Sequence, residues 1–225
     1  MAQLTKKTVE LFYDVVSPYS WLAFEVLCRY RSNWNLDLQL KPFFLSGVME
    51  ASGNRPPGLV PNKFKYMYKD LSRLAEYYKV PLQPPKNVAE VMFEKGSLKA
   101  QRFITAVDMM NIDKTEEISR QLWMKIWSKD EDITLPESFV DASNEAGLED
   151  AEITEALSMM STLPVKNRLR AYTDRAVKLE AFGAPYIVAH VEDKEEVIFG
   201  ADRFPILAAL IDEHWMGPVP AKSKL

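Results

Sequence analysis

The apolar run Val9 to Val16, passing without a spacer into Ser17-Pro18-Tyr19-Ser20, constrains this chain more than any other stretch. The run predicts a buried strand over Thr8 to Val16. Pro18 suits the first position of a helix, where a missing N–H costs nothing and φ is already set. A strand therefore ends and a helix begins within a residue or two. Such a junction gathers unpaired N–H groups and the positive end of a helix dipole, which makes it a natural seat for an anion. Taken alone, Ser17-Pro18 also fits a plain helix cap, with the hydroxyl accepting from the helix's own first turn.

A second element lies far along the chain. Phe182-Gly183-Ala184-Pro185 leads into the β-rich run Tyr186-Ile187-Val188-Ala189-His190-Val191. Thioredoxin-like proteins place a Cys-x-x-Cys pair at a strand-to-helix turn. They face it with a loop that ends in a cis proline. Here serine stands at both cysteine positions, Ser17 and Ser20. A hydroxyl cannot exchange disulfides, but it can donate to the thiolate of another molecule. A trans proline opening a strand is the plain alternative for Pro185.

The order of elements joins the two. After the first strand, Tyr19 to about Trp34 reads as a helix on Leu22, Val26 and Tyr30. Leu36 to Phe43 alternates as a half-buried strand, and a Pro/Gly-rich loop follows from Gly53 to Pro61. From Asn62 to Ala181 the pattern is helical, with breaks at Pro81 to Pro85, Asp130 to Pro136, Gly147 and Pro164. Glu195 to Phe199 reads as a strand, Gly200 to Arg203 as a turn, and Pro205 to about Trp215 as a helix. The expected fold is α/β, a thioredoxin-like core with an inserted all-helical domain. Residues 1–61 and 182–225 would form the core, and 62–181 the insertion.

Composition narrows the function. Hydrophobic residues are 47% and charged residues 27%, a globular balance, and the net charge of −4 offers no basic excess for a nucleic-acid partner. One cysteine excludes an intrachain disulfide and fits a reducing compartment. No apolar run is long enough to cross a bilayer. The residues Met1 to Lys7 are too few and too polar for a secretory signal, and they lack the Arg/Ser richness of a transit peptide.

The chain resembles the kappa-class glutathione transferases, which are similar in turn to the DsbA oxidoreductases and to the bacterial 2-hydroxychromene-2-carboxylate isomerases. The resemblance rests on ELFYDVVSPYSWLAFEVLCRY, SGNRPP with VPNK, WSKDEDIT, AFGAP, FGADR and WMGPVP, in that order along nearly the whole chain. It implies conjugation of glutathione, as co-substrate and without a metal, to small electrophiles by a homodimer. A glutathione peroxidase side activity would use the same thiolate. It also implies Ser17 as the catalytic residue, with Pro18 and Tyr19 beside it. Asn54 and Lys63 would serve the glycine end of glutathione, Ala184 and Pro185 the cysteinyl unit, and Ala201, Asp202 and Arg203 the γ-glutamyl end. Family members often carry serine where Ala201 stands, so one side-chain contact is lost here while the backbone N–H is kept. Each residue has a plain alternative: Lys63 as a solvated helix charge, Asp202-Arg203 as a cap for the last helix.

Other chemistries fit less well. A Ser-His-Asp hydrolase could use only His190 or His214, and neither sits in a triad context. Two histidines and one cysteine are a poor basis for a metal site, and Cys28 reads as a packed small side chain. A glutathione-dependent isomerase of the chromene-carboxylate type would use the same thiolate on another substrate. A non-catalytic thioredoxin-like binding protein would keep the fold without activating a thiol. Finally, Ser223-Lys224-Leu225 matches the peroxisomal address, read by an import receptor. Kappa-class relatives are peroxisomal or mitochondrial, so the peroxisome is expected, with the mitochondrial matrix as the alternative.

Overall fold

A computed structural model describes residues 6–221. The expected address, Ser223-Lys224-Leu225, lies outside the described residues. Four strands form one sheet in the order β2-β1-β3-β4. They are β1 (Lys7–Tyr13), β2 (Leu36–Pro42), β3 (Tyr186–Val191) and β4 (Lys194–Phe199). β1 runs parallel to β2, with Val9 opposite Leu38 and Leu11 opposite Leu40, and antiparallel to β3, with Leu11 opposite Ile187. A parallel neighbour requires a crossover, and α1 (Pro18–Tyr30) provides it. The central place of β1 explains its unbroken apolar run: Val9, Leu11, Phe12 and Tyr13 are all fully buried.

Between the halves of the sheet come α2 (Leu45–Ser52), α3 (Pro61–Tyr78), a π-helical segment (Glu90–Lys95), α4 (Leu98–Met110) and α5 (Thr115–Ser128). Then follow α6 (Pro136–Glu145), α7 (Asp150–Met159) and α8 (Leu163–Lys178), and α9 (Phe204–Leu210) follows the sheet. Pro18, Pro61, Pro136, Pro164 and Pro205 all fall in the first turn of a helix.

Several boundaries differ from expectation for local physical reasons. β1 stops at Tyr13, not Val16, because the Asp14 carboxylate takes the Val16 N–H and the Asp14 carbonyl takes the Ser17 N–H, turning the chain out of the sheet. α1 ends at Tyr30 rather than near Trp34. The N–H groups of Asn33 and Trp34 both fold back onto the Tyr30 carbonyl. α9 stops at Leu210 instead of continuing to Trp215, whose ring stacks on Tyr30 and Phe204. Helix α2 was not expected at all; it ends at Gly53, in the left-handed region at φ 69°.

Candidate active site

The segment Tyr13 to Ser17 leaves the sheet and runs buried to α1, so its backbone groups need partners inside the protein. Helices inserted between the two halves of the sheet supply them. Gln101 on α4 donates from Nε2 to the Tyr13 and Phe43 carbonyls at 3.0 and 2.8 Å and accepts the Val15 N–H at 3.3 Å. On α5, Trp127 donates its indole N–H to the Val15 carbonyl at 3.1 Å, and Trp123 donates to the Ser17 carbonyl at 3.2 Å. Asp14 turns inward and is fully buried. Its Oδ1 accepts the Val16 N–H at 3.0 Å, while Oδ2 accepts the Leu45 N–H at 3.0 Å and the Ser97 hydroxyl at 2.8 Å. Burial pushes the Asp14 carboxyl up to about 6, against the three donors that pull it down.

Ser17 caps α1: its Oγ accepts the Ser20 N–H at 3.1 Å. Acting there as acceptor, the hydroxyl keeps its own proton to donate elsewhere. The first-turn amides are nearly all accounted for. Pro18 has none, that of Ser20 is capped, and that of Trp21 goes to the Ser17 carbonyl at 3.3 Å. The Tyr19 N–H has no acceptor among the described residues. The Tyr19 hydroxyl donates to Asp70 Oδ2 on α3 at 2.9 Å, and burial together with that carboxylate pushes the phenol far up. It therefore stays protonated and committed to Asp70.

These groups border a cleft of about 520 Å³. Gly183, Ala184 and Pro185 border it too, the Ala184–Pro185 peptide being cis, as does the stretch Phe199 to Arg203. The Gly200 N–H donates to the Pro185 carbonyl at 3.2 Å, which ties these two segments together. Gly200 has φ +102°, a backbone conformation that strains any side-chain-bearing residue placed there. The Tyr78 hydroxyl on α3 donates to the Ala201 carbonyl and fixes the turn from behind. The N–H groups of Ala201 and Asp202 have no acceptor among the described residues. The remaining lining is largely apolar: Met67 and Leu74 from α3, Met49 from α2, and Met92 and Phe93 from the π-helical segment. An anion held at Ser17 and Tyr19 would thus meet a flexible, mostly apolar partner space.

Nine of the ten residues expected at the site border this cleft: Ser17, Pro18, Tyr19, Asn54, Ala184, Pro185, Ala201, Asp202 and Arg203. Lys63 does not. It stands exposed in the first turn of α3, as a solvated helix charge would. Asn54 donates from Nδ2 to the Phe182 carbonyl at 2.6 Å, bracing the loop before the cis proline. Asp202 and Arg203 are paired with each other. Ser20 is fully buried, does not border the cleft, and its hydroxyl has no partner among the described residues. His190 faces Glu10 and Glu195 on the sheet, away from the cleft lining, and the His214 carbonyl accepts the Trp34 indole N–H. The Cys28 thiol is pushed up by burial and stays protonated. Sequence reasoning missed Asp70 and Asp14. An acid at Asp70, between Met67 and Leu74 on the inward face of α3, was the available signal for the first.

A family model, the DSBA-like thioredoxin domain, matches residues 8–212. Glutathione S-transferase kappa 1 of Homo sapiens is 49% identical over 214 residues, covering 95% of each chain. Glutathione S-transferase kappa 2 of Caenorhabditis elegans is 34% identical, covering 96% of this chain and 97% of its own. Among solved structures, a 2-hydroxychromene-2-carboxylate isomerase aligns with TM-score 0.76 at 21% identity, over 91% of this chain and 94% of that one. At that identity the likeness is one of fold.

Proposed function

This chain belongs to the kappa-class glutathione transferases, within the DsbA-like thioredoxin family, and we propose that Ser17 and the Tyr19 N–H hold the glutathione sulfur as a thiolate. Glutathione is its co-substrate. A free thiol has a pKa near ~8.5, so only a few per cent is thiolate at neutral pH, and the thiolate is the nucleophile. Lowering that pKa by ~2 units takes ~2.7 kcal/mol of preferential anion stabilisation. One hydrogen bond to a charged group supplies roughly 1.5–3 kcal/mol, and a helix N-terminus adds about 0.3–1. The Ser17 proton and the Tyr19 N–H together reach that sum without a cation. The thiolate then attacks an electrophilic carbon: the S–C bond forms as the leaving group departs with its electron pair.

The observation that carries this reading is the state of the cap. Among the described residues Ser17 Oγ accepts from Ser20 and donates to none, and it lies beside the one first-turn amide without an acceptor there. The rest of the tripeptide is read from the same cleft. The N–H groups of Ala201 and Asp202 would take the γ-glutamyl carboxylate, with Asp202 turning from Arg203 to its ammonium. Ala184 offers backbone to the cysteinyl unit, and Asn54 lies toward the glycine end. The electrophile would occupy the methionine-lined side. A homodimer in the peroxisome, imported through Ser223-Lys224-Leu225, is part of the same proposal.

Titration of bound glutathione by thiolate absorbance tests it. Ser17→Ala should raise the bound thiol's pKa by about 1–2 units, the equivalent of one charge-assisted hydrogen bond. Turnover near neutral pH should fall at least about tenfold and recover in part as pH rises. Asp202→Ala, at the far end of the tripeptide, should weaken binding and leave the thiol titration in place. An unchanged titration and pH–rate profile in Ser17→Ala would leave Ser17 a helix cap and nothing more.

A further inference from the structure

Three carboxylate or ammonium side chains are buried among the described residues, and Asp14 differs from the other two. Glu10 faces Arg175 at 2.8 Å, His190 at 3.2 Å and Lys41 at 3.9 Å, and Lys125 pairs with Glu131 and Asp141. Asp14 has no cation beside it among the described residues; the partners seen there are neutral donors. A buried acid without a counter-charge is costly, and such groups gather at functional sites. Two of its three partners can only donate, a requirement met by a carboxylate and met poorly by an amide.

What these donors belong to is the point. The Val16 N–H belongs to the residue just before Ser17, and the Ser17 N–H itself donates to the Asp14 carbonyl at 2.9 Å. Leu45 opens α2, which brings Leu45, Ser46 and Met49 to the cleft. Ser97 precedes α4, whose Gln101 holds the same turn. We infer that Asp14 is a positioning residue for the transferase reaction: its buried carboxylate locks the turn to α2 and α4 and so fixes the aim of the Ser17 hydroxyl at the glutathione sulfur. At neutral pH the carboxyl, held near about 6, is mostly ionised and able to accept all three bonds.

The inference rests on the proposed role of Ser17, and the test separates the two. Bound glutathione is titrated by its thiolate absorbance at about 240 nm in the wild type, Asp14→Asn, Ser97→Ala and Ser17→Ala. Removing a negative charge near an anion would, by electrostatics alone, lower the thiol's pKa. Loss of positioning does the opposite. Asp14→Asn should raise it by about one unit, a tenfold loss of thiolate below the pKa, and Ser97→Ala should shift it the same way by less. A fall or no change in Asp14→Asn overturns the inference. Should that variant fail to fold, the direction of the Ser97→Ala shift decides the matter by the same criterion. A shift in Ser17→Ala without one in the Asp14 and Ser97 variants sinks the inference and keeps the role of Ser17; no shift in Ser17→Ala sinks both.

Discussion

Asp14→Asn should change stability by an amount that depends on pH, with a sign opposite to that of most buried ion pairs. In the folded protein the Asp14 carboxyl titrates at about 6, whereas in the unfolded chain it should titrate near ~3.9. Between those values the folded state holds a proton that the unfolded state has lost, so stability falls as pH rises through this window. Below the unfolded value the burial costs nothing. Above about 6 the full cost applies, ~3 kcal/mol for two units, and about 2 kcal/mol of it is recovered by pH ~4.5. Asparagine carries no charge and escapes that cost, but its Nδ2 must face one of the two N–H groups that Asp14 now satisfies. An orphaned buried N–H costs about 1–3 kcal/mol. At pH ~7.5 the two effects offset, and the variant should lie within about 2 kcal/mol of wild type. At pH ~4.5 the variant should have lost ground by about 2 kcal/mol. Urea unfolding followed by the fluorescence of the five tryptophans reads this at both pH values. Glu116, Asp132 and Glu195 are held below the usual carboxylate range and lose stabilisation on acidification, but in both proteins alike, so the difference isolates Asp14. A wild-type-minus-variant difference that stays flat across the window refutes the argument.

Two further outcomes are expected. Gln101→Leu strands the Val15 N–H and the Phe43 carbonyl, since only the Tyr13 carbonyl keeps another donor, so the urea midpoint should report a loss of about 2–5 kcal/mol; a loss below about 1 kcal/mol would show that the turn stands without α4. Deleting Leu225 from an amino-terminally tagged chain in eukaryotic cells should change punctate fluorescence to diffuse, and puncta that persist would remove the peroxisomal proposal.

What could be read from the chain ahead of its structure divides along a physical line. The strands β1 to β4 and helix α1 carry local signals of their own, an apolar run or a period, and the proline at the start of α1 dates its first turn. Their sequence therefore announced them to within a few residues. Helix α2 has only eight residues, two of them buried, and too short a stripe to show a period. The end of β1 was misplaced because an acid inside an apolar run looks like an outward-facing strand residue. Beside the local Val16 N–H, its partners are Leu45 and Ser97, 31 and 83 positions away.

The same division runs through the site. Residues proposed to meet glutathione with backbone or a local cap, such as Ser17, Ala184 and Ala201, sit in motifs whose turn chemistry is visible locally. Those that aim them do not: Gln101, Trp123 and Trp127 look like ordinary members of helical stripes on α4 and α5. Each donates to a carbonyl of that turn, 88 to 112 positions earlier in the chain. A helical insertion that supplies the turn's missing partners ties the Ser17 hydroxyl to long-range packing. On this account a polar substitution at Trp123 should reach Ser17 before it reaches glutathione.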